Sequence, residues 1–193
     1  MRTALIALAL TMLMACKEDV AQDTTPVPLT EDSIGHFCQM SLLEHDGPKG
    51  QIHLEGLPGT PLYFSQVRDL VAYLRMPEQS HVILAAWVND MGAPGASWDA
   101  RAKNSWIAAE DAMFVVGGRA VGGMGAPEVV PFLDPDKAAA FANANGGQVL
   151  RLAEIPDSAV LTPVDLVPAN PDSETADTDF TERLRGLSRT LGE

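Results

Sequence analysis

Between Ile34 and Pro156 the chain spells one order of elements twice, and that repetition limits its fold more than any other feature. In the first half, "GHFCQMSLL" and "GQIHLEGL" are short strand-like runs joined by the turn-rich "EHDGPKG". "FSQVRDLVAYLRM" follows with Val67, Leu70, Val71 and Leu74 at helical spacing, Ser65 as the expected N-cap and Pro77 as the stop. "HVILAAWV" then reads as a buried strand. After a Gly/Pro-rich link, "AMFVVGG" and "EVVPFL" are strands around the turn segment "RAVGGMGAP". "DPDKAAAFANANGG" is a helix with Asp134 at the cap, Pro135 in the first position and Gly146 at the end, and "QVLRLAEI" closes as a strand.

Both halves therefore read β-β-α-β, about 34–92 and 105–156, and Phe64 and Tyr73 have the spacing of Phe132 and Phe141. The expected fold class is α+β, with the two similar ββαβ halves packed as one compact domain of ordinary core size. The turns "HDGPKG" and "GGMGAP" then fall in equivalent places between the first two strands of each half, and a pseudo-twofold would bring them together.

The flanks have different roles. Arg2, the apolar run Ala4 to Met14 and the junction Leu13-Met14-Ala15-Cys16 have the layout of a secretory signal over 1–15 ending in a bacterial lipobox. The run is shorter than the roughly 20 residues of a membrane span. Cys16 is the expected lipidation site, and Lys17 after it, in place of Asp, points to the outer membrane. Residues 16–33 are polar and Pro-containing and read as a flexible tether, while 157–193, with eight acids against three Arg, reads as a disordered acidic tail. A net charge of −13 argues against nucleic acid, whose phosphates it would repel.

If Cys16 carries lipid, Cys38 has no intramolecular partner in an oxidising compartment. It is then a reactive thiol, a metal ligand, an intermolecular bridge or a buried hydrophobe. On a strand, His36, Cys38 and Met40 would line one face. Thiolate and thioether are soft donors, and with or without an imidazole they select Cu(I), whereas zinc usually asks for four Cys or His ligands at tighter spacing and, with only one cysteine free, an iron–sulfur cluster is excluded. His45 sits in a turn where a solvated histidine is the plainer reading, and His53 and His81 look structural. Met124 in "GGMGAP" and Met91 in "NDMGAP" are glycine-adjacent thioethers without an evident packing purpose, hence candidate soft ligands. No Ser-His-Asp order, phosphate loop or paired-carboxylate site stands out.

"HFCQM", "EHDGPKGQ", "FSQVRD", "VNDMG", "VGGMGAPEVVPF" and "EIP" together resemble the NosL family of lipoprotein copper chaperones used in maturing nitrous oxide reductase. The resemblance runs from about His36 to Pro156 and implies two ββαβ halves similar to those of organomercurial lyase. It implies a Cu(I) site in which the family's Cys-x-Met maps onto Cys38 and Met40 and its Gly-Met-Gly onto Met124. His45 fits the family's imidazole best, with His36 the geometric competitor. The implied partners are an ABC-transporter-type maturation complex in the membrane and, through it, nitrous oxide reductase. The role would be that of a carrier and not an enzyme: thiol chemistry like that of organomercurial lyase needs a second cysteine. A metal-free adaptor would leave the glycine-flanked Met residues unused.

Overall fold

The computed structural model describes residues 21–79 and 81–164. The expected signal and Cys16, and the tail beyond 164, lie outside the described residues. Seven strands and three helices follow in the order β1 (Gly50–Leu54), β2 (Leu62–Phe64), α1 (Val67–Arg75), β3 (Ile83–Asn89), β4 (Trp106–Ala108), β5 (Met113–Val116), β6 (Val130–Phe132), α2 (Pro135–Asn145), β7 (Gln148–Arg151) and α3 (Asp157–Val160). They form two antiparallel sheets, β2-β1-β3-β4 and β6-β5-β7. Apart from the added edge strand β4, the halves share one topology: the first strand of each ββαβ unit is central, flanked by the second and the fourth element.

The repeat is thus present, but "GHFCQMSLL" is not its first strand. Ile34 bridges Ser41 and Gly35 N donates to Met40 O, so the chain doubles back within this segment, and Gln39 sits at φ +55, outside the strand region. The first strand is β1, and "HDGPKG" precedes it, so the counterpart of "GGMGAP" in the first half is the connection 55–61.

Strand periodicity divides β1 between two environments. Gly50 has no room for a Cβ beside Leu70 of α1, and Ile52 is fully buried in the main core with Phe64, Val67, Leu70, Val71 and Val88. Phe114, Val129, Ile155 and Val160 from the second half join the same cluster, so the halves share one core. β5 alternates likewise: Val115 turns to a second cluster with Val130, Phe132 and Ala138 of α2, packed by Trp98 and Phe141. β3, expected to be buried, is half-covered at its start, with Leu84 exposed.

On the opposite face of β1, Gln51 and His53 are buried under residues 22–33, which were expected as a free tether. Gln22 Nε2 donates to Leu54 O at 2.8 Å and its Oε1 accepts from Gly56 N at 3.0 Å. Trp87 Nε1 donates to Thr24 O at 2.8 Å, and Val27 and Gln51 exchange two hydrogen bonds of 2.9 and 3.1 Å. A buried amide side chain in a strand must find such partners, and the strap supplies them. At the other end the fold runs past Pro156, expected as its boundary: Val160 of α3 is buried and Arg68 Nη2 donates to Thr162 O at 2.7 Å.

Helix α2 is built as its sequence dictates, with Asp134 accepting from Asp136 N and Lys137 N, Pro135 in the first turn and Gly146 at φ +77. Helix α1 is not. Its N-cap is Gln66, not Ser65, and makes no side-chain cap bond. Glu128 Oε1, from the second half, accepts from Arg68 N at 3.0 Å instead.

Candidate metal centre

Residues 120–128 form a small hairpin, closed by the Val121–Pro127 bridge and by Gly122 N donating to Ala126 O at 2.8 Å. A second bond, Gly125 N to Gly122 O at 2.9 Å, makes 122–125 a tight turn with Met124 at its tip, 36% exposed. The hairpin lies flat because its glycines lack side chains. A Cβ on Gly123 would fall 2.6 Å from His45 Cβ and 2.8 Å from Asp46 O. One on Gly122 would fall 2.5 Å from Glu128 Oε2 and 2.6 Å from Gln66 Oε1. The two turns that sequence reading expected to meet do meet, although they are not equivalent in the repeat.

His45, expected to be solvated, is only 6% exposed. Its Nδ1 lies 2.9 Å from Ser41 O, a contact that fixes the Nδ1–H tautomer and leaves Nε2 as the nitrogen able to coordinate a metal. Its own carbonyl, with that of Gly47, accepts from the Lys49 ammonium. Burial lowers the Lys49 pKa to about 8, against the opposing pull of Glu128 and Asp46. Ser41 directly follows Met40, so one hydrogen bond ties the imidazole to the Cys38–Met40 segment.

In that segment the half-buried Cys38 sits over Gly35, whose Cβ, if present, would lie 2.4 Å from the sulfur, and Sγ is 4.0 Å from Met40 O. Met40 is 43% exposed. Because the segment is a turn, His36, Cys38 and Met40 do not share a strand face. The His36 ring instead packs at 5.4 Å edge-on to Tyr73 and 5.9 Å from Phe64, with Phe37 beside it. Met91 is likewise occupied elsewhere: it packs in the second core cluster, its Sδ is 3.8 Å from Asn104 Nδ2, and its N–H donates to Pro131 O.

What gathers at this end of β1 is one thiol, two exposed thioethers and one oriented imidazole, on three segments. Among the described residues no three His, Cys, Asp or Glu cluster at metal-binding spacing.

Sequence reading missed the support beneath the hairpin. Glu128 is buried, and its Oε1 accepts from Arg68 N and Val129 N while Oε2 has no hydrogen-bond partner, as has Gln66 Oε1. Burial pushes the carboxyl up to about 8, against those two N–H groups; Asp69 adds to the rise and Lys49 opposes it. An ionised carboxylate left there with a bare oxygen would cost several kcal/mol, so it is held neutral. The only local signal was an acid within the otherwise apolar "PEVVPF".

The family model described as NosL matches residues 26–160. The chain belongs to the NosL family. That span takes in the strap from Pro26 and ends with α3. Over 192 residues, 100% of this chain and 97% of the relative, it is 55% identical to the copper-binding lipoprotein NosL of Achromobacter cycloclastes. Over 146 residues it is 32% identical to the copper-binding lipoprotein NosL of Stutzerimonas stutzeri, covering 75% of this chain and 73% of that one. The crystal structure of the copper chaperone NosL from Shewanella denitrificans is similar at 29% identity with a TM-score of 0.61, covering 69% of this chain and 96% of the other. The family's α+β fold is thus the one described above.

Proposed function

We propose that this protein is a copper chaperone, anchored by lipid on Cys16 and facing the periplasm from the outer membrane. It captures Cu(I) with Cys38, Met40, Met124 and His45 Nε2. It passes the ion by ligand exchange to an ABC-transporter-type maturation complex, which loads the copper centres of nitrous oxide reductase. NosL relatives named as copper-binding lipoproteins and as a copper chaperone support the copper and the anchor. Those names describe carriers, not enzymes.

The observation that carries the site is the contact of the Met124 hairpin with His45, whose ring reaches back to Ser41 beside Met40. It brings soft donors from both halves together, on turns near the surface, where an incoming ligand can displace them one at a time. Anaerobic Cu(I) titration against a competing chelator tests it. Cys38→Ser should weaken binding by two orders of magnitude or so, because the thiolate is the one anionic donor for the cation, and leave apo melting nearly unchanged. A variant that competes like wild type would place the site elsewhere.

A further inference from the structure

The strap fixes more than the sheet it covers. Gln22 is clamped by two hydrogen bonds to Leu54 and Gly56, at the end of β1 and the start of the 55–61 connection. Five residues separate it from Cys16, which fully extended span about 20 Å between the two Cα atoms. From there the strap runs back along β1, with Val27 on Gln51, towards the end where Lys49 and His45 precede Gly50. Five strand residues rise about 13 Å between the first and last Cα. The chain therefore enters the fold at one end of β1, and the candidate copper site lies at the other.

The entry end has the surface that a lipid interface fits. Gly56, Leu57, Pro58, Gly59 and Thr60 carry no charge and are all exposed, with nothing near the positions where side chains of the two glycines would be. Leu57 is 37% exposed, and Val82, 58% exposed, is tied beside this connection by Glu55 N donating to its carbonyl. Met76, exposed at the C-terminus of α1, lies at the same end, since α1 begins at Glu128 beneath the copper-site hairpin. With a net charge of −13 the molecule at large is repelled by anionic headgroups, and although Ile34, Phe37, Met40, Val121 and Met124 expose apolar surface at the other end, the uncharged 56–60 tip is the apolar surface beside the anchor.

We infer that the 56–60 connection, with Val82, is the face this protein lays on the membrane, and that the copper site is thereby turned away from the lipid. The inference rests on the proposed lipidation of Cys16, but not on copper. It is tested with the lipidated full chain in phosphatidylethanolamine–phosphatidylglycerol vesicles. In a Cys38→Ser background, Leu57→Cys or Val121→Cys carries an environment-sensitive fluorophore, with lipids bearing a nitroxide near the headgroup as quencher. The label at 57 should be quenched several-fold more than the label at 121 on the copper-site hairpin. Equal quenching, the reverse order, or no quenching at 57, which would leave that connection to a protein partner, overturns the inference. Flotation with the vesicles reports anchoring separately, so failure to float would sink the lipid anchor and this orientation together, with the Cu(I) titration unaffected.

Discussion

The repeat places two connections in corresponding positions, 55–61 between β1 and β2 and 117–129 between β5 and β6. Both are rich in glycine and both use it for left-handed turns, at Gly56 and Gly59 in the first and Gly117 and Gly125 in the second, but only the second also uses it for close approach. In the first, Gly56 and Gly59 adopt φ +79 and +68, and a side chain at either would meet nothing; they are there because the backbone turns left-handed. In the second, Gly122 and Gly123 are there because His45, Asp46, Gln66 and Glu128 leave no space for a Cβ. One scaffold used twice thus carries an open turn in one half and a fitted one in the other, and the proposed copper site is built on the fitted one.

Alanine at corresponding glycines should pull these apart. Among substitutions in these two connections the largest effect on Cu(I) affinity is expected from Gly123→Ala, which must lift the hairpin off His45 and Asp46. We expect about a tenfold loss, equivalent to about 1.4 kcal/mol, in chelator competition. Unchanged affinity would mean that the fit of the hairpin is irrelevant to the site. Met124→Leu should act less, a severalfold loss with one sulfur fewer in the copper X-ray absorption shell. Its apo stability should change by less than about 1.5 kcal/mol, because volume and apolarity are kept.

Glu128 gives the fitted connection a pH dependence. Its carboxyl titrates at about 8 in the fold against an ordinary 4.5, so the folded state holds the proton longer and stability falls as pH rises across that window. Lys49, lowered from 10.5 to about 8, acts in the opposite sense, and stability recovers as pH climbs above 8. Glu128→Gln supplies an uncharged donor in the same place and should abolish the fall between pH 5 and pH 8 in urea-denaturation midpoints. A slope equal to wild type would mean that Glu128 is not the titrating group. The smallest copper effect belongs to Gly56→Ala, which should cost about 1 kcal/mol of backbone strain in melting and nothing in Cu(I) affinity.

Legibility in the sequence followed the range of the forces. Helix α2 was readable to the residue because Asp134, Pro135 and Gly146 act locally. The ββαβ order was readable from periodicity. The turn at 35–41 was not, since His36, Cys38 and Met40 alternate as in a strand and the left-handed position falls on Gln39, not on a glycine. Nor could the strap be read, because its partners Gln51, Leu54 and Trp87 are brought to it only by the sheet. In the site, residue types pointed to soft donors, but the burial of His45 and the diversion of His36 and Met91 into packing depend on neighbours distant in sequence.

The carboxyl that caps α1 also sets an order of assembly. Glu128 lies 60 residues beyond Arg68, whose N–H it receives, and the Arg68 side chain reaches Thr162, 94 residues away. A chain that emerges N-terminus first delivers the whole first half while that helix start is unsatisfied. The first half then has no means of finishing alone, and the hairpin bearing Met124 arrives on the same stretch as the group that completes it. A fragment ending before residue 128 would leave the start of α1 without the carboxyl that accepts its N–H, and would lack the hairpin that covers His45.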